Sequence, residues 1–114
     1  MAFKETEKVL IEAVLSAFIE RRRPPVHLRD KLEHGFRIDG QAIELFEVRP
    51  RYDDKTRKVQ HSFAKARYVK TAKAWKVYWM RGSGKWWPYE PGKVRKVEDF
   101  IRLAEEDKDH CFFG

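Results

Sequence analysis

Between residues 36 and 89, turn-forming residues cut the chain into short segments in which apolar and polar side chains alternate. A period of two is the pattern of a strand that lays one face on a core, and it does not suit a helix. Residues 36–49 read as a hairpin around Asp39-Gly40, a pair that tolerates the positive φ of a type I′ turn. Pro50 has no N–H to give a ladder, so the second strand stops there or lies at an edge. Residues 52–58 are a polar, charged loop. Residues 59–70 read as a third strand, with Ala64, Ala66 and Tyr68 on one face and Lys65 and Arg67 on the other. Residues 74–81 read as a fourth, with Trp75, Val77 and Trp79 on one face and Lys76, Tyr78 and Met80 on the other. The turn Gly82-Ser83-Gly84 leads into a fifth strand, residues 85–89, broken at Pro88, and Pro91-Gly92 ends the sheet.

Helical spacing brackets this region. Residues 3–22 carry an apolar stripe of Val9, Leu10, Ala13, Val14, Ala17 and Phe18. Glu5 and Glu7 lie in the first turns and Arg21, Arg22 and Arg23 at the end, an order that complements the helix dipole. Pro24 and Pro25 stop the helix. Residues 26–34 form a connector with room for one helical turn. Residues 97–107 read as a second helix whose apolar side is Phe100, Ile101, Leu103 and Ala104. The end, Cys111-Phe112-Phe113-Gly114, is apolar enough to dock back on the body. The predicted fold is α+β: an antiparallel meander of about five strands with an N-terminal and a C-terminal helix packed on one face. Residues 1–114 fit a single domain.

A lone cysteine, Cys111, rules out an intramolecular disulfide. The first residues lack the basic and long apolar regions of a secretory signal, and the run from Val9 to Ile19 is too short to span a bilayer. No membrane association and a reducing cytoplasm are the expectation.

Charge divides the chain into three. Residues 1–48 are near balance at −1, residues 49–96 hold 15 Lys/Arg against 3 Asp/Glu for a net of +12, and residues 97–114 carry −4. The central block also holds all four Trp and all four Tyr. Lys and Arg bind nucleic acid by neutralising phosphates, and aromatic faces stack on unpaired bases. The expected function is therefore a non-enzymatic module that binds RNA or DNA, or another polyanion. Its candidate contacts are Arg49, Arg51, Lys65, Arg67, Lys76, Tyr78, Arg81 and Lys85. The blander reading makes Trp75, Trp79 and Trp87 plain core and the lysines a solvated face.

The alternative function is a protein-interaction or self-assembly module, in which the acidic C-terminal helix meets the basic sheet within one chain or between copies in a homo-oligomer. A metal-dependent nuclease built on Asp39, Glu47 and Arg49 or Lys65 ranks below both. Asp39 has a turn to make, and Glu47 with Arg49 forms a same-face strand pair. His27, His34, His61 and His110 are scattered, so the spacing offers no zinc motif. Cys111 has acidic neighbours that disfavour a reactive thiolate. The segment from Arg81 to Lys85 lacks the spacer of a phosphate-binding loop. No catalytic residue, metal or cofactor is expected.

The ordered motifs resemble a known family. They are the Arg-Ile-Asp-Gly hairpin at residues 37–40 running into Glu44-Leu45-Phe46-Glu47-Val48-Arg49-Pro50, then Ala64-Lys65-Ala66, Trp75-Lys76-Val77-Tyr78-Trp79-Met80-Arg81, Lys85-Trp86 and the Cys-Phe-Phe-Gly end. Together they resemble the bacterial family catalogued as domain of unknown function 3024. The resemblance covers most of the chain. It implies a stand-alone bacterial protein, and it implies no activity and no site residues.

Overall fold

The computed structural model describes residues 3–81 and 84–106. Their order is helix α1 (Glu5–Arg22), a 3₁₀ turn (Val26–Leu28), strands β1 (Glu33–Asp39), β2 (Ala42–Pro50), β3 (Lys58–Val69), β4 (Ala74–Met80) and β5 (Trp86–Val94), and helix α2 (Val97–Glu106). The strands form one antiparallel sheet in the order β1-β2-β3-β4-β5, the expected meander. The anticipated turn at Gly82-Ser83 and the terminal segment with His110 and Cys111 lie outside the described residues.

The first helix begins where a carboxylate can cap it: the Lys4 N–H donates to Glu7 at 3.0 Å. Its buried stripe differs from the expected one. Ile11, Leu15 and Phe18 face the core, with Val14 and Ile19 packed at its margin, whereas Val9 and Leu10 are 62% and 69% exposed. Apolar residues surround much of this helix, so its sequence offers two overlapping stripes. The sheet selects the one that α2 and β1 can also reach. Helix α2 follows expectation and buries Val97, Phe100, Ile101 and Ala104.

Directly paired residues in an antiparallel sheet share a face, so the register assigns every side chain. One row runs Ile38, Ile43, Ala66, Val77, and another runs Phe36, Leu45, Ala64, Trp79. These rows, with Trp75 and Tyr89, lie in one hydrophobic cluster with the buried residues of α1 and α2. This is the covered face. Trp75 is its aromatic centre, with ring centroids 5.5 Å from Phe3 and 5.2 Å from Tyr68. Trp79 is only half-buried at the margin, and Trp87 beside it is 47% exposed, so Trp87 is not core. Consecutive Phe63 and Ala64 are both buried because the register shifts opposite Leu45/Phe46 and leaves Phe63 as an extra residue.

Two turns refine the expectation. The β1–β2 connection places Gly40 at φ 60° and leaves Gln41 outside the left-handed region. That matches a type II′ pattern rather than I′, because Asp39 still pairs with Ala42 as the last strand residue. Strand β5 does not stop at Pro91-Gly92 but continues to Val94. Tyr78 pairs with Pro88 while Lys76 pairs with Lys93, so residues 89–92 form a wide irregularity that absorbs the proline and glycine. An edge strand tolerates this because one side of its backbone needs no partner.

Candidate nucleic-acid interface

Among the described residues, the opposite sheet face carries no helix. Its rows follow from the same register. One runs Ala42, Arg67, Lys76, Lys93, a second runs Arg37, Glu44, Lys65, Tyr78, Pro88, and beyond them lie the pairs Met80–Trp86 and Phe46–Ser62. Cations and aromatic rings are interleaved here. The Lys65 ammonium sits 5.9 Å from the Tyr78 ring centroid and 5.7 Å from that of Trp86. The Arg37 guanidinium sits 5.0 Å over Phe46 and also donates to Gln60 and Ser62, each at 3.1 Å. Phe46 is buried yet stands apart from the main core cluster, held between Arg37 and the bare backbone of Gly35.

By register this face holds Glu33, Asp39 and Glu44 as well, with Asp39 at the head of the Arg67 row beyond Ala42. Glu44 is matched to Arg37 at 3.5 Å. Among the described residues, Lys65, Arg67, Lys76 and Lys93 make no ion pair. Arg67, Lys76 and Lys93 are exposed and lie on three neighbouring strands, which are about 4.8 Å apart.

The expected contact residues therefore divide. Lys65, Arg67, Lys76 and Tyr78 come together on the open face. Arg81 does not join them: alternation puts it on the side of Trp79, and its guanidinium lies 4.4 Å from the Trp87 ring and 5.7 Å from that of Trp79. Lys85 is exposed beside it, its carbonyl accepting the Arg81 N–H at 3.0 Å. Arg49 and Arg51 lie at the far end of β2 and are already matched. Arg49 donates to Glu47 at 2.8 Å, and Arg51 makes a two-point contact with Asp53 at 2.9 and 2.8 Å.

Arg37, Trp86 and Lys93 join the face without having been singled out. Alternation with Phe36 and Ile38 marks Arg37, and alternation with Trp87 marks Trp86. Lys93 was hidden because Pro91-Gly92 reads as the end of the sheet.

The other constellations disperse. Asp39 shares the open face with Arg37, whereas Glu47 pairs with His34 on the covered side at the other end of the hairpin, so the proposed nuclease carboxylates are not brought together. His34 and His61 flank Glu47 in one row, yet among the described residues no group of three His, Cys, Asp or Glu side chains is arranged to hold a metal ion. Burial holds the His34 imidazole below the usual histidine range. Glu47 pulls the other way and Arg22 adds to the lowering. At the end of α1, Arg21 pairs with Glu105 of α2, and Arg23 pairs with Glu33 of β1 at 3.1 Å. Arg21 thus ties the two helices together, and Arg23 ties the end of α1 to the sheet. Among the described residues, no helix is long and apolar enough to cross a membrane.

Residues 3–114 match the family described as Domain of unknown function (DUF3024), and the chain belongs to it. No curated protein and no solved structure matches the chain.

Proposed function

We propose that this member of a family with no established activity is a non-enzymatic module that binds nucleic acid through the open face of its sheet, in a bacterial cytoplasm. The observation that carries the reading is the row Arg67, Lys76, Lys93, exposed on three adjacent strands and unmatched by carboxylates among the described residues. Unmatched cations on a face that neither α1 nor α2 covers suit a ligand with regularly spaced negative charge, because each neutralised phosphate releases counterions. Helix α2 packs on the other side of the sheet and takes part in the core, and its Glu105 pairs with Arg21 of α1.

The test is fluorescence anisotropy with labelled oligonucleotides over a series of salt concentrations. Wild type should bind at low salt, with log K falling linearly against log salt. Lys76→Ala and Lys93→Ala should each reduce that slope by about 0.7–0.9. They should weaken binding to all sequences alike, because phosphates carry no base identity. No binding at the lowest salt would refute the reading. An unchanged slope in both variants would move the interface off this face.

A further inference from the structure

Resting on that reading, we infer that the open face takes single strands, with unpaired bases stacking on Tyr78 and Trp86 while the backbone follows the row Arg67, Lys76, Lys93. The geometry sets two kinds of side chain in parallel. The basic row crosses β3, β4 and β5, and Tyr78 stands two residues further along β4 from Lys76 on the same face. Two residues of strand span about 7 Å, so a base attached to a backbone on the basic row reaches the Tyr78 ring. Trp86 pairs with Met80 one step beyond. Lys65 lies over both rings and marks them as one platform. A phosphate offers that ammonium a full charge, and the rings it leaves are then open to bases.

A duplex fits this surface poorly. Five strands at about 4.8 Å make a sheet about 19 Å wide, whereas the major groove of DNA is about 12 Å wide and admits a helix or a two-stranded ribbon. The face can touch a duplex only along its phosphates, which leaves Tyr78 and Trp86 without a partner. A single strand uses both rows, and its ligand chemistry is an unpaired base carried on a phosphate backbone.

The experiment compares a 12-nucleotide single strand, in ribose and deoxyribose forms, with a duplex of the same length, for wild type, Tyr78→Leu and Trp86→Leu. Leucine retains apolar bulk, and a urea titration of each variant reports its folding separately from its binding. Wild type should prefer the single strands by at least about tenfold at equal salt. Each aromatic replacement should weaken single-strand binding roughly 5- to 150-fold, the range for losing one stacked base. The salt slope and the duplex affinity should stay unchanged. Binding of either sugar form supports the inference and identifies the sugar. Equal affinity for duplex and single strand, or equal loss on both in folded variants, overturns the inference and leaves phosphate binding standing. No binding to any of the three overturns the nucleic-acid reading itself.

Discussion

The two faces of this sheet are made by the same strands and differ by a step of one residue. On the covered side, Ile43, Leu45, Ala64, Ala66, Trp75 and Val77 meet Leu15, Phe18, Phe100 and Ile101 in one cluster. On the open side, Arg37, Lys65, Arg67, Lys76 and Lys93 stand among Tyr78, Trp86 and Phe46, and among the described residues burial there is confined to the Phe46 ring beneath Arg37. Because side chains alternate, moving one position along β4 exchanges a residue that holds the fold for one that can meet a ligand. The lesson is a separation: stability and binding should respond to different, interleaved residues.

The sharpest way to break that separation is the pair Trp75 and Lys76. Trp75→Ala should cost about 3–5 kcal/mol on urea titration, the range for removing a large buried aromatic. Trp79→Ala should cost less, because Trp79 is only half-buried at the margin of the core. A loss at Trp75 no larger than at Lys76 would mean the faces are exchanged.

A second variant probes whether the open face has packing of its own. A Cβ on Gly35 would lie 2.6 Å from Cε1 and Cζ of Phe46, inside any tolerable contact. Gly35→Ala should therefore destabilise by about 1–3 kcal/mol, the range for overpacking. A neutral effect would show that the Phe46 ring moves freely and that Arg37 does not fix it.

The covered side also predicts a pH response. The folded pKa of His34 lies below its ordinary value of 6.5, so the unfolded chain takes up this proton first as pH falls. The stability that neutral His34 contributes is complete above pH 6.5 and is lost as pH drops from there towards the folded pKa. Urea midpoints measured from pH 8 to pH 5 (on the order of three units) should fall on the acid side. His34→Gln should flatten that fall, and an equal fall in the variant would assign it to other groups.

The smallest effects belong to the open face. Lys76→Ala and Arg67→Ala should change stability by no more than about 0.5 kcal/mol, as expected for exposed residues without a structural partner. A larger loss in either would show that the basic row helps hold the sheet.

The sequence shows the two helices, the five strands and the alternation that sorts Lys65, Arg67, Lys76 and Tyr78 from their neighbours, because period and turn chemistry are local. It does not show which stripe of α1 is buried. Val9 and Leu10 are as apolar as Ile11 and Leu15, and only docking against the sheet and α2 decides between them. Nor does it show Lys93, since Pro91-Gly92 is an end signal in isolation and an absorbed irregularity on an edge strand. Nor does it show that Arg49 and Arg51 lie apart from the other basic residues and are already paired. Net charge says nothing of pairing, and the carboxylates that match these two arginines are close in sequence, at Glu47 and Asp53.

The four tryptophans give the most direct reading of where a ligand sits, because the register divides them. Trp86 lies on the open face, while Trp75, Trp79 and Trp87 lie on the other side. Each indole N–H gives its own NMR signal, assignable by single Trp→Phe replacements. In a titration with a single-stranded oligonucleotide at low salt, the Trp86 signal should move first and furthest, with Trp75 unmoved and Trp79 and Trp87 nearly so. Movement led by Trp79 and Trp87, with Trp86 still, would put the ligand beside Arg81 on the opposite side of the sheet and contradict the assignment of the open face.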